Sequence, residues 1–246
     1  VTVNLTRDVR RRFGVALAIL VVGIAALRLA GPIDTVTGVA SPQAAIPLRG
    51  VATTEKALAL TFDISWGTVM PPKVLRILKD MKVPATFFLS GPWAANHPEI
   101  VREILKDGFE VESHGSAHVN FSSLSDAGVA QNIQSANAAL VALGAHPTFV
   151  RPPNGDYSQA SLKVAAGIGY TTVIWGTDSL DWMNPGIGAI ESRVLNRAHP
   201  GDIILMHASD TCKQTDLALP AIIRGLRRQG FRLVTLKELL KVGRPV

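Results

Sequence analysis

From about Lys56 onward the chain alternates two kinds of apolar pattern. Short, nearly continuous apolar runs predict buried strands at Ala57–Phe62, Ala85–Leu89, Phe109–Glu112, Thr148–Val150, Thr171–Trp175, Ile203–Met206 and Arg232–Thr235. Helical spacing occupies Lys73–Lys82, Pro98–Lys106, Ser125–Leu143, Gln159–Ala166, Ile187–Arg197 and Leu217–Gln229. In the first of these, Val74, Leu75, Ile77, Leu78 and Met81 fall on one face, and Pro71 and Pro72 suit its start. Ser125 is placed to cap a helix, while Gly108 and Gly144 are placed to stop one. About seven strands, each followed by a helix or loop, predict a parallel α/β sheet, open or closed into a barrel.

The N-terminus has a different pattern. Phe13–Leu27 is an uncharged apolar run of 15 residues behind the Arg10, Arg11, Arg12 cluster. A spanning helix needs about 20 residues, and a snorkelling Arg28 extends the run to Ala30. Residues 1–30 are therefore expected to form a cytoplasmic basic head and an uncleaved membrane helix, with a cleaved secretion signal as the second choice. Arginines on the cytoplasmic side would place the body outside the cytoplasm. Residues 31–50 read as a linker and 51–246 as the catalytic-type domain.

Charge sharpens this division. Of the formal net charge of +6, +4 falls in residues 1–30 and only +2 in the rest. A nucleic-acid-binding body should show a basic stripe, so that function class is set aside. Arg224, Arg227 and Arg228 read as the solvated face of one helix. The 47% hydrophobic content suffices for a large core. The single cysteine, Cys212, excludes an internal disulfide and a Cys-rich zinc site. With no histidine evident beside it, it reads as incidental.

Sites in parallel α/β folds lie at the carboxyl ends of strands. The residues just after the predicted strands include Asp63, His114 with His118, Arg151, Asp178 with Asp181, and His207. His114 and His118 are spaced i, i+4, which on one helical turn would set both imidazoles on one side as metal ligands. Asp63 follows a buried run and is a candidate metal ligand or general base. Arg151, stiffened by Pro152 and Pro153, suits a bidentate clamp on Asp63 or a structural salt bridge. His207 suits a general acid, with Asp181 orienting its ring. Trp66 and Trp182 suit sugar stacking; Trp93 and Trp175 fit stacking or core packing equally.

Together, Thr61-Phe62-Asp63, His114-x3-His118, Arg151-Pro152-Pro153-Asn154-Gly155, Asp178-x2-Asp181-Trp182 and Leu205-Met206-His207 resemble the five ordered motifs of the NodB-homology polysaccharide deacetylases, carbohydrate esterase family 4. The resemblance covers about residues 55–240. Asp63-Ile64-Ser65-Trp66-Gly67, Ser90-Gly91-Pro92-Trp93-Ala94 and His207-Ala208-Ser209-Asp210 look like the sporulation, PdaB-type branch. It implies a distorted (β/α) barrel and a peptidoglycan-related, N-acetylated glycan as partner. It further implies a divalent metal, zinc first, on His114 and His118, with Asp63 as base held by Arg151. Asn154 would lend a backbone N–H to the oxyanion, Asp181 would tune the acid His207, and Trp182 and Leu205 would line the acetyl pocket.

One position departs from that family. The metal-binding aspartate that usually follows the base is Ile64 here, which cannot coordinate. A catalytically weak or inactive glycan-binding protein on the same fold is therefore the alternative expectation.

Overall fold

The computed structural model describes residues 45–246. The expected membrane helix and basic head lie outside the described residues. Among the described residues no helix is long and apolar enough to cross a membrane.

In chain order the elements are β1 (Val51–Ala52), β2 (Ala57–Ile64), α1 (Met70–Asp80), β3 (Thr86–Leu89), α2 (Gly91–Asn96), α3 (Pro98–Lys106), β4 (Glu110–Ser113), α4 (Asp126–Ala142), β5 (Phe149–Val150), α5 (Gln159–Gly167), β6 (Thr171–Thr172), β7 (Thr177–Asp178), α6 (Ile187–Arg197), β8 (Ile203–His207), α7 (Thr215–Arg228), β9 (Arg232–Val234), α8 (Leu236–Leu239) and β10 (Arg244–Pro245). The main sheet runs β6-β5-β4-β3-β2-β8-β7, and β9 joins β2 at Ala57–Ala59. Every pairing in it is parallel. The sheet is curled but open, with β6 and β7 as its edges.

β2 is buried along its whole length, which fits a strand covered on both faces. Leu58, Leu60, Phe62 and Ile64 pack with Leu75, Leu78 and Ile222 in the layer between sheet and helices. Ala57 and Ala59 face the inner cluster with Phe88, Phe149 and Ile203. Period-two alternation then carries Thr61 and Asp63 to the inner face, at the upper end of that cluster. Each fully buried Leu or Phe here contributes roughly 1.5–3 kcal/mol. That burial offsets the cost of holding charge at the strand ends.

Several expectations need correction. The strand expected at Thr171–Trp175 is cut short to β6, and an unexpected β7 follows at Thr177–Asp178, so the main sheet holds eight strands. Gly176 lies at the break, and its N–H donates to the Ile203 carbonyl instead of extending β6. The expected linker ends inside the folded body: Leu48 bridges Val173 and Gly50 bridges Asp202. Leu48 thereby covers the free edge of β6. The Gly91–Asn96 helix and the β1–β10 ribbon were not expected from the sequence.

Candidate active site

All strands of the main sheet point the same way, so their carboxyl ends share one rim. Asp63, one residue before the end of β2, lies beside His207 at the end of β8, and the two are register partners. His114 follows β4, Arg151 follows β5 and Asp178 ends β7. The rim surrounds a cavity of about 440 Å³ lined by Asp63, Trp66, His114, His118, Asn154, Asp178, Trp182, Leu205 and His207, among others. Of the expected site residues, only Arg151 and Asp181 stand behind this lining rather than in it. Both are fully buried and hold the groups in front of them.

Arg151 donates from one terminal nitrogen to Asp63 Oδ1 at 2.7 Å. Its other terminal nitrogen donates to Thr61 Oγ1 at 2.8 Å and to the Ile174 carbonyl at 3.2 Å. The clamp on Asp63 is thus single, not the bidentate fork expected. Phe88 packs against the guanidinium, 4.1 Å from ring centroid to Cζ. Burial pushes the Asp63 carboxyl up, but the charges of Arg151 and the neighbouring histidines and the Arg151 hydrogen bond outweigh it. The net shift is downward, so Asp63 is ionised at neutral pH.

His114 donates from Nδ1 to the Arg151 carbonyl at 2.8 Å, which leaves the Nε2 lone pair free. Nε2 lies 3.7 Å from Asp63 Oδ2. Burial pulls the His114 pKa down to about 4, so the ring is neutral near pH 7 and suited to a metal. His118 stands at the cavity mouth with its ring 5.5 Å from that of His114 and 4.7 Å from Trp66. The expected helical turn between the two histidines is not formed. Gly115 adopts φ +75, and a Cβ there would lie 2.5 Å from Asn132 Oδ1. The loop, not helical periodicity, brings the rings together.

Two imidazoles and a carboxylate are the donor set of many divalent-metal sites. His114 and His118 supply the two imidazoles of that set, and Asp63 Oδ2, 3.7 Å from His114 Nε2, is the neighbouring carboxylate; water would fill the remaining positions. Ile64 adds nothing to it, because its side chain is fully buried in the outer layer. Among the described residues the three-donor group with all ligand atoms within 4.8 Å is a different one, Asp181, His207 and Cys212. Its carboxylate is already committed to hydrogen bonds, and burial pushes the Cys212 thiol up to about 12. That group is better read as a hydrogen-bonded acid with a protonated thiol beside it. Cys212 is therefore not isolated from histidine, as the sequence suggested.

His207 Nδ1 lies 2.7 Å from Asp181 Oδ1, and the His207 backbone N–H donates to Asp181 Oδ2 at 2.8 Å. Thr215 Oγ1 donates to Oδ2 as well, at 2.7 Å. This fixes the proton on Nδ1 and turns Nε2 away from Asp181. Burial pulls the His207 pKa down, but Asp181, with Asp63 and Asp178, outweighs it and the net shift is upward from 6.5. Activity that needs the imidazolium is full below pH 6.5 and is lost as pH rises through the raised value. Asp181→Asn removes the largest upward influence, so the alkaline limb of kcat/KM moves to lower pH. A limb that stays in place would remove His207 from the role of proton donor.

Asn154 takes a left-handed conformation, φ 59, and its side chain donates to Asn120 Oδ1 at 2.8 Å. Trp175 lines the cavity, whereas Trp93 is buried and donates to the Gly67 carbonyl. Sequence reasoning gave no role to Ser209 or Asp210. Ser209 Oγ accepts from the Ser65 N–H, and Asp210 accepts from the N–H groups of Thr68, Val69 and Met70. Asp210 thus caps α1 and ties the loop after His207 to the loop after Asp63. Their position just after β8 was the available signal.

The polysaccharide deacetylase family model matches residues 50–173, which include Asp63, both rim histidines and Arg151. The chain belongs to the polysaccharide deacetylase family. A peptidoglycan-N-acetylglucosamine deacetylase of Bacillus cereus is 36% identical over 194 residues, covering 78% of this chain and 91% of that protein. Among solved structures, a carbohydrate esterase family 4 pseudoenzyme from Bacillus anthracis superposes with a TM-score of 0.77 at 30% identity, over 82% of this chain and 71% of that one. A mutant of it with restored enzymatic activity superposes equally well. PdaA of Bacillus subtilis gives a TM-score of 0.72 at 28% identity, over 80% of this chain and 85% of that one. The half-barrel is therefore common to this chain and to proteins that differ in activity.

Proposed function

We propose that this deacetylase hydrolyses the acetamide of N-acetylglucosamine units in a cell-wall glycan, releasing acetate and a free amine. The observation that carries the reading is the pair of opposed, oriented groups on register partners. Arg151 holds Asp63 ionised, and Asp181 orients His207 and raises its pKa. The Bacillus cereus relative supports the choice of substrate.

Asp63 Oδ2 accepts the proton of the attacking water, and Arg151 keeps the carboxylate in place for it. The Asn154 N–H donates to the carbonyl oxygen as negative charge develops there. His207 Nε2 gives its proton to the leaving nitrogen, while Asp181 supports the imidazolium that precedes the transfer. Leu205 and Trp182 enclose the acetyl methyl. A divalent metal, zinc first, would be held by His114 and His118 and supplies Lewis-acid polarisation of the reacting carbonyl. The Arg10–Arg12 cluster and the apolar run behind it support a catalytic body outside the cytoplasm, where such a glycan lies. The Asp63-Ile64 pair supports a place in the sporulation branch.

The test is acetate release from chitooligosaccharides and peptidoglycan by protein that has been chelated and then reloaded with zinc. Acetate and free amine in equal amounts, lost on chelation and regained on reloading, are expected. A zinc-loaded protein that releases neither defeats the reading.

Ile64 favours a second reading, a glycan-binding protein of little or no activity. Its burial leaves the metal site one carboxylate short of the family pattern, and a fold neighbour is a pseudoenzyme. Equilibrium dialysis separates the two readings. Failure to retain zinc at micromolar concentration, with glycan still bound, selects the second.

A further inference from the structure

Cys212 stands beside the proton donor and takes no part in the reaction derived above. One donor atom from each of Asp181, His207 and Cys212 lies within 4.8 Å of the other two. His207 and Cys212 both line the cavity, so an ion can reach them from solvent. We propose that His207 and Cys212, with Asp181 behind them, form a second metal site, separate from the His114 and His118 pair, that takes a thiophilic divalent cation such as cadmium or excess zinc and silences the acid. The silencing rests on the deacetylase reading; the binding does not.

Donor chemistry carries the assignment. His207 Nδ1 lies 2.7 Å from Asp181 Oδ1, which leaves the neutral ring one lone pair, on its other nitrogen. A carboxylate behind the far nitrogen of an imidazole is the arrangement that orients metal-binding histidines and raises their basicity. A sulfur donor beside such a ring selects zinc and softer ions over magnesium and calcium. The Cys212 thiol keeps its proton in the resting protein. It yields that proton to solvent as the cation takes its place, the usual proton release of metal binding. Thr211 Oγ1 lies 3.7 Å from Sγ, beside the thiolate so formed. Water completes the coordination. With the ion on its lone pair, the His207 ring has no proton to give a leaving amine at that nitrogen.

Cys212 is fixed in that place. Its N–H donates to the Ser209 carbonyl at 2.9 Å, which closes the turn after β8. Asn184 grips the chain on both sides of it. The Asn184 side chain donates to the Thr211 carbonyl at 2.9 Å and accepts from the Lys213 N–H at 2.7 Å. Three residues on, the Thr215 hydroxyl donates to Asp181 itself. One short stretch of chain thus ties the thiol to the carboxylate that orients the ring. Donors held in advance lose little freedom when an ion binds.

The test titrates cadmium into the full chain and follows the sulfur-to-cadmium charge-transfer absorption. Cys212 is the chain's single cysteine, so the band reports on this site alone. It is expected to saturate at micromolar cadmium. Its midpoint should rise at least about tenfold in His207→Ala, which loses a donor, and stay in place in His118→Ala, which damages only the other site. Thermal melting checks that both variants fold. Acetate release is expected to fall as zinc is raised beyond the amount that gives full activity, and to hold in Cys212→Ser. No band in the wild type overturns the site. An unchanged midpoint in His207→Ala also overturns it, since the ion then sits on the thiol alone. A band lost in His118→Ala overturns its separateness, and zinc inhibition that survives in Cys212→Ser overturns the silencing. A saturating band without acetate release at any zinc loading upholds the site and defeats the deacetylase reading instead.

Discussion

His207→Ala is expected to lower acetate release by about two to four orders of magnitude, the usual worth of a positioned proton donor. The leaving group of an acetamide is an amine, which departs poorly unless protonated. His207 is the group oriented for that task, through Nδ1 on Asp181. Its ring is at the rim and only partly buried, so truncation leaves the core intact. The Tm is therefore expected to change little while kcat falls. Asp181 would be left with the Thr215 hydroxyl and the residue 207 N–H, both of which remain after the substitution. A variant with wild-type turnover, or one that unfolds, would each contradict this assignment.

The second large effect is on stability. Arg151→Met removes a fully buried guanidinium and leaves the buried Asp63 carboxylate without its hydrogen-bonded ion-pair partner. Breaking one side of a buried ion pair typically costs about 3–5 kcal/mol. The Thr61 hydroxyl and the Ile174 carbonyl lose a donor as well. Urea denaturation should show a midpoint shift of that size, while the circular dichroism of the folded state is preserved. The same variant reverses the balance on Asp63: burial then dominates and the carboxyl pKa rises. The acidic limb of kcat/KM moves to higher pH, because activity that needs the carboxylate is lost as pH falls through its pKa. Unchanged stability and an unchanged acidic limb would mean that Arg151 does not hold the base.

Asp63, Arg151 and His207 were legible because each follows a buried apolar run, and parallel topology gathers strand ends on one rim. The Ile187–Arg197 helix was legible to the residue, since its apolar positions and flanking Gly186 agree. β7 was not, because two residues carry no periodicity and its pairing comes from β8. Leu48 was read as linker, since its partner, Val173, is over a hundred residues away and nothing local announces it. The nearness of Cys212 to His207 depends on a turn after β8 that brings the chain back over Asp181. The i, i+4 spacing of His114 and His118 named the right residues for the wrong reason, because Gly115 prevents the helix that spacing assumes. The position of Ile64 was read correctly as a departure. Its burial in the outer layer, which follows from strand alternation, gives that departure its structural meaning.

The central claim is that Asp63 and His207 act on one bond in one turnover. A double-mutant cycle on acetate release tests it most directly, with Asp63→Asn, His207→Ala and the pair in zinc-loaded protein. Groups that work as a unit are strongly non-additive, so each single variant is expected to lose nearly as much as the double. Losses that simply multiply, or a double variant that still releases acetate at the wild-type rate, would contradict the account.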